Sequence, residues 1–192
     1  YAGGLSLSIA DVVSVDALGL ITTNLPDGSE GFSMLVILTA TFPPIQLGFG
    51  FTLTGLGGLL GVHRTMDLPV LRDKVRTGVL DSILFPVNPL GRIVQVLNDV
   101  ESVFPIARDR FTFGLMARLG WGSPQTIQAD IGLILSLPMP ISIALLGRVS
   151  AILPDPEAAI VELRIDVAGG LAPGRPGVWV GGALRGPRGG LF

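Results

Sequence analysis

From Gly31 to Val62 the chain carries no charged side chain, and from Ile131 to Gly147 it again carries none, between Asp130 and Arg148. Stretches of this kind either cross a membrane as helices or lie in a sheet. The first contains Pro43-Pro44 and glycines at 48, 50, 55, 57, 58 and 61, and the second contains Pro138 and Pro140. Proline removes a backbone donor and clashes with the preceding helical turn, so neither stretch makes one uninterrupted spanning helix. The period agrees. Leu47, Phe49, Phe51 and Leu53 alternate with Gly48, Gly50, Thr52 and Thr54, a repeat of two residues that puts the apolar set on one face of a strand. Both stretches are expected as paired strands with their prolines in turns. A membrane β-barrel is the lesser expectation, because barrels carry aromatic girdles and a polar lumen, and only Tyr1, Trp121 and Trp179 are amphipathic aromatics.

The same reading along the chain places strands at about 4–10, 12–23, 32–42, 46–56, 111–121, 126–137, 141–153, 159–168 and 177–185. Turn chemistry separates them. Asn24-Leu25-Pro26-Asp27-Gly28 and Leu153-Pro154-Asp155-Pro156 combine a fixed proline φ, local Asx hydrogen bonds and, in the first, a glycine that accepts positive φ. Ile127, Ala129, Ile131, Leu133, Leu135 and Leu137 share one face and lead through Pro138-Met139-Pro140 into Ile141, Ile143 and Leu145. That is a long hairpin, with its apolar rows expected to face inward. Leu35, Ile37 and Ile134 are apolar on the opposite side of their strands, so both faces of the sheet are expected to be covered.

The middle of the chain changes period. Asp67 precedes Pro69, and Leu68, Leu71, Val75, Val79 and Ile83 recur at helical spacing, which predicts a capped helix to about Leu84. Asn88-Pro89 opens a second, with Leu90, Ile93, Val94, Leu97, Val100 and Phe104 on one arc. The expected fold is α+β: a long, mostly antiparallel sheet of about nine strands, packed on or wrapped around a central helical hairpin over 67–105. No internal boundary divides 1–192, so one domain is expected; a start at Tyr1 and an end at Phe192 read as a piece of a longer chain.

Composition removes several functions. Charged residues make up 15% of the chain, against about 25% ordinarily. The net charge is −2 and Lys74 is the single lysine, so there is no electrostatic footprint for nucleic acid. With no cysteine, thiolate chemistry and thiolate-bound metals are absent. No cofactor is expected. Gly55-Leu56-Gly57-Gly58-Leu59-Leu60-Gly61 has the look of a phosphate loop, but Val62-His63-Arg64-Thr65 separates it from the next helix, and a dinucleotide loop needs a helix abutting it within a βαβ unit. A steric cause, close approach of another chain segment, fits those glycines better.

His63 is the sole histidine and the sole candidate catalytic residue. A hydrolase would pair it with a hydroxyl such as Ser82 or Ser123 and a carboxylate such as Asp67 or Asp130; no G-x-S-x-G elbow supports this. The bland reading has His63-Arg64 closing a strand. Asp155 with Glu157, Glu162 with Asp166 around Arg164, and Asp99 with Glu101 read as solvated charge. Asp130 and Arg148 fall on facing strands of the long hairpin and are placed to pair across it.

The ordered phrases Gly48-Phe49-Gly50-Phe51-Thr52-Leu53, Gly57-Gly58-Leu59-Leu60-Gly61-Val62-His63-Arg64, Gly78-Val79-Leu80-Asp81-Ser82-Ile83-Leu84-Phe85-Pro86, Val103-Phe104-Pro105 and Leu119-Gly120-Trp121-Gly122-Ser123-Pro124 resemble a bacterial domain-of-unknown-function family. That family occurs in very large β-rich proteins, some encoded near phage-tail-like or injection-type gene sets, and the resemblance covers about Gly31 to Gly170. It implies a module of a large structural or surface-associated protein, cell-surface or secreted, and no catalytic residue. Three functions stand as expectations: a non-catalytic structural or assembly module, joined to neighbouring modules or to itself through edge strands such as Leu5–Ile9 and Val178–Leu184; a carrier of lipid or another apolar ligand in a groove between sheet and helices; and a hydrolase using His63.

Overall fold

A computed structural model describes residues 1–25, 28, 30–122, 125–154, 160–172 and 175–185, with backbone alone described at 24, 30, 152–154, 160–163, 172 and 175–185. Nine strands form one sheet in chain order: β1 (Ala2–Ile9), β2 (Val13–Asn24), β3 (Glu30–Gly48), β4 (Phe51–Arg64), β5 (Ile106–Trp121), β6 (Ile127–Leu137), β7 (Ser142–Pro154), β8 (Ile160–Ala172) and β9 (Arg175–Arg185). Every neighbouring pair is antiparallel. Among the described residues no pairing joins β1 to β9, so the sheet has two open edges.

One turn differs from expectation. Pro43 and Pro44 lie inside β3 rather than in a turn; they fall where the β3–β4 register slips between Thr41 and Ile45, a stretch in which the absent proline N–H groups cost no ladder bond. The hairpin turns at Phe49-Gly50 instead, both at positive φ, and β4 then runs unbroken through Gly57, Gly58 and Gly61.

Between β4 and β5 three short helices replace the expected two: α1 (Leu68–Val75), α2 (Leu80–Ile83) and α3 (Ile93–Val103). Asp67 caps α1, its Oδ1 accepting from the Val70 N–H at 3.0 Å. Gly78, at φ +94°, ends that helical run, yet Leu68, Leu71, Val75, Val79 and Ile83 are all buried, so the apolar spacing holds across the break. The second helix starts later than Asn88-Pro89. Asn88 sits at φ +49° and its Oδ1 accepts from the Gly91 N–H at 3.2 Å, a local turn that competes with helix.

Register defines two faces. On the inner face Leu18, Leu35, Ile37, Leu59, Met116, Ile134, Ala144, Leu146 and Ala168 join the helix residues in one buried cluster. Glycines let the helical layer sit low on this face: a Cβ at Gly132 would lie 2.8 Å from Leu84 Cδ2, and one at Gly55 2.9 Å from Phe85 Cε1. The steric reading of the glycines is thus borne out there. The layer reaches across the sheet, from Leu90 over Gly4 in β1 to α1 against β8. The outer face carries the opposite set, illustrated by the cross-strand row Leu38, Gly58, Leu115, Leu133, Leu145 and Gly169.

That assignment corrects the expected orientation. The rows Ile127–Leu137 and Ile143–Leu145 point away from the helices: Ile131, Leu133, Ile143 and Leu145 are exposed, as are Leu47, Phe49 and Phe51. The face on the helices mixes leucine, isoleucine and methionine with glycines, alanines and polar residues, and the small positions are where Leu84 and Phe85 sit low on the sheet.

Candidate functional site

Four strands place one charged residue each at the same height on the inner face: Arg118 in β5, Asp130 in β6, Arg148 in β7 and Asp166 in β8, each the direct cross-strand partner of the next. The signs alternate. Arg118 forks onto Asp130, Nε to Oδ1 at 2.7 Å and Nη2 to Oδ2 at 3.0 Å, the bidentate geometry that gives guanidinium–carboxylate pairs their strength. Arg148 lies 3.6 Å from Asp130 through Nη1, 3.2 Å from Asp166 through Nε and 3.0 Å from Asp81 of α2 through Nη2. Arg164 completes the group, contacting Asp166 at 3.1 Å and Asp81. Three cations thus meet three anions, with Asp130, Arg148 and Asp166 all buried.

The row also fastens the helical layer. Arg148 Nη1 donates to the Leu84 carbonyl at 3.1 Å, and the Arg118 guanidinium stacks 4.5 Å from the centre of the Phe85 ring.

A second buried cation stands at the sheet end near α3. Arg64 is fully buried and donates to Ser33 Oγ at 2.6 Å, the Phe104 carbonyl at 2.9 Å and Thr22 Oγ1 at 3.4 Å. Desolvation lowers its pKa, with Glu101 acting in the other direction. These are tethers between strands and helices rather than reactive groups.

His63 lies beside Arg64 but turned to the rim. Its Nδ1 accepts from the Asp109 N–H at 2.9 Å, and its ring sits 6.2 Å from both Phe32 and Phe111. The hydroxyls and carboxylates weighed for a triad serve elsewhere. Ser82 Oγ donates to Asp99 at 2.8 Å, Asp67 caps α1, Asp130 holds Arg118, and Ser123 lies outside the described residues. Asp155 and Glu157 also lie outside them, as does the Glu162 side chain. Asp166, expected as solvated charge, is instead fully buried. Asp99 binds Ser82 and lies 3.5 Å from Lys74, tying α3 to α1 and α2. Among the described residues no group of His, Asp and Glu is placed to hold a metal ion.

The expected Asp130–Arg148 pairing is present, as one link of a longer row. Sequence reasoning stopped at that pair, although the signal for the rest was available: counting outward from each turn brings residues 118, 130, 148 and 166 to one height.

An apolar groove of about 490 Å³ lies on the outer face over β6 to β8, walled by Ile131, Ile143, Leu145, Val167 and Leu171 with Gly147 in its floor. A groove between sheet and helices was expected; the helix side chains Leu71, Val75, Leu80 and Val100 fill that side.

These features define an open antiparallel α+β protein with a helical layer bolted to one sheet face by a neutral ion row. In sequence, residues 1–187 match the Family of unknown function (DUF6603), and the chain belongs to that family. No curated protein and no solved structure matches it.

Proposed function

We propose that the chain is a non-catalytic structural or assembly module of a large bacterial β-rich protein, joined to neighbouring modules or to copies of itself through its edge strands. The observation that carries this reading is the free side of β1. Tyr1 and Ile21 exchange both backbone bonds, at 2.6 and 2.7 Å, so the odd positions of β1 bond to β2 and Ala2, Gly4, Ser6 and Ser8 turn their N–H and C=O groups outward. All eight residues of the strand are exposed, and an unpaired edge of this length is a template for another strand. Strand order equals chain order, so a further strand at either edge disturbs nothing inside.

Sedimentation of the 1–192 chain tests the reading. Association that rises with concentration is expected, and Ser6→Pro with Ser8→Pro should weaken it at least tenfold, because proline removes outward donors without removing a β1–β2 backbone bond; Ser6→Ala, which loses only the hydroxyl bond to Asp16, should leave association unchanged. Strictly monomeric behaviour, or association indifferent to both prolines, would sink the proposal. A second reading, carriage of one apolar ligand, is favoured by the outer groove alone; native mass spectrometry should then find a lipid bound at one per chain.

A further inference from the structure

We propose that the outer face of the sheet is a membrane surface, its occupant the hydrocarbon of bilayer lipids, with the nine strands forming an arc of a barrel wall. This goes beyond the assembly reading. The first argument is charge complementarity. Between the row containing Phe111 and the row containing Trp121, the described outward positions of β1 to β8 carry no charged, amide or hydroxyl side chain. Ser33, Thr39, Thr112, Asp130, Ser136, Arg148 and Asp166 turn inward and are buried, while Thr54, at the bulge between Leu53 and Gly55, spends its hydroxyl on the Arg118 carbonyl. A sheet facing water has the reverse polarity, whereas a membrane barrel puts apolar residues outside and polar ones in a lumen that a helix often plugs.

The ends of the face supply the second argument. Exposed Phe32, Phe111 and Phe113 stand at one end, and Phe49, Phe51 and Trp121 at the other. The rows between are aliphatic or glycine, apart from Phe42 beside the Pro43-Pro44 irregularity of β3. Arg108, Asp109 and Arg110 follow immediately beyond Phe111. These rings stand where outer-membrane barrels carry their aromatic girdles, bounding an aliphatic band, with Trp121 the one amphipathic ring among them.

Height is the third argument. From Phe111 to Trp121 a strand extends about 33 Å at its usual rise, and about 25 Å at a barrel strand's tilt, the thickness of the apolar band in outer-membrane barrels. No described helix is long and apolar enough to span, so the strands must carry the contact. Because hydrocarbon tolerates no open edge, β1 and β9 must each be paired by a neighbouring strand there.

Fluorescence quenching by phosphatidylcholine vesicles tests the inference, with the chain refolded into them and bromines placed at either the 6,7 or the 11,12 acyl positions. In a Trp179→Phe background, Trp121 should be quenched more by the shallow bromines. With Trp121→Phe and Leu133→Trp added, the new indole should be quenched more by the deep ones. Leu133→Arg should cut the fraction floating with vesicles at least tenfold. A chain that stays out of the floating fraction, or equal depth for both indoles, would overturn the inference. So would a lipid-free dimer dispersed by Leu133→Arg, which would assign the face to a second copy. The inference rests on the edge pairing of the assembly reading: a chain that associates in sedimentation yet stays out of the floating fraction overturns this inference alone, and one that neither associates nor floats overturns both.

Discussion

Arg148 has oxygens from two strands and two helical residues within reach: Asp130, Asp166, Asp81 and the Leu84 carbonyl. Such a cation is costly to bury and costlier to remove, because its partners are left as uncompensated buried anions. Arg148→Ala should lower the unfolding free energy by about 3–5 kcal/mol, and Arg148→Lys should restore only part of it, since one ammonium cannot span four acceptors in the guanidinium plane. A urea midpoint unmoved by Arg148→Ala would show that the row is ornamental. The sequence announced one link of this row because Asp130 and Arg148 flank a turn whose centre is easy to locate. Asp166 escaped because its partner across the next turn required the register of a second hairpin, and because a carboxylate beside Arg164 reads as ordinary surface charge.

At the scale of elements, strands were the more legible. Nine strands were expected and nine are present, since alternation over ten or more positions leaves no competing period, although β3 runs to Gly48 and β4 from Phe51 to Arg64 where ends near 42 and a span of 46–56 were expected. Helix phase was harder. For α3 the expected arc of Leu90, Ile93, Val94, Leu97, Val100 and Phe104 holds at Val100 and Phe104, buried with Val96 and Val103, and in part at Ile93 and Leu97, but Leu90 is exposed and Val94 is 70% exposed. Apolar residues cover roughly half the circumference of this helix, and the sheet decides which part of that arc is covered. Val100→Asp should therefore cost roughly 3 kcal/mol or more by burying an unpaired charge, while Val94→Asp should stay within about 0.5 kcal/mol. Equal effects in thermal unfolding would mean that α3 is packed differently.

For the whole molecule, the sheet's two faces were the least legible feature. Alternation tells which residues share a face and is silent about which face meets the helices. Reasoning from water put the rows Ile127–Leu137 and Ile143–Leu145 inside; the structure puts there the alternate set, in which Leu35, Ile37, Leu59, Ile134 and Leu146 stand among glycines, serines and paired charges. The physical reason is thickness. Helices packed on a sheet need low ground beneath them, and Gly55 and Gly132 supply it. The candidate site was correspondingly half visible: the edge strand Leu5–Ile9 and the uncharged stretches could be read from the sequence, the side of the sheet that stays bare could not.

Strand order that follows chain order has a mechanical consequence. Each strand is bonded only to its predecessor and successor in the chain, so tension applied at the two ends acts first on the two outermost strands and on nothing behind them. The sheet should open like a zipper, bond by bond, rather than shear as a block. An optical-trap recording should show a series of small rips at low force, interrupted by one larger extension when the 65–105 segment between β4 and β5 is released together with its helices. A single high-force rupture would mean that the helical layer, clamped through Arg148 and Arg64, locks the strands against peeling.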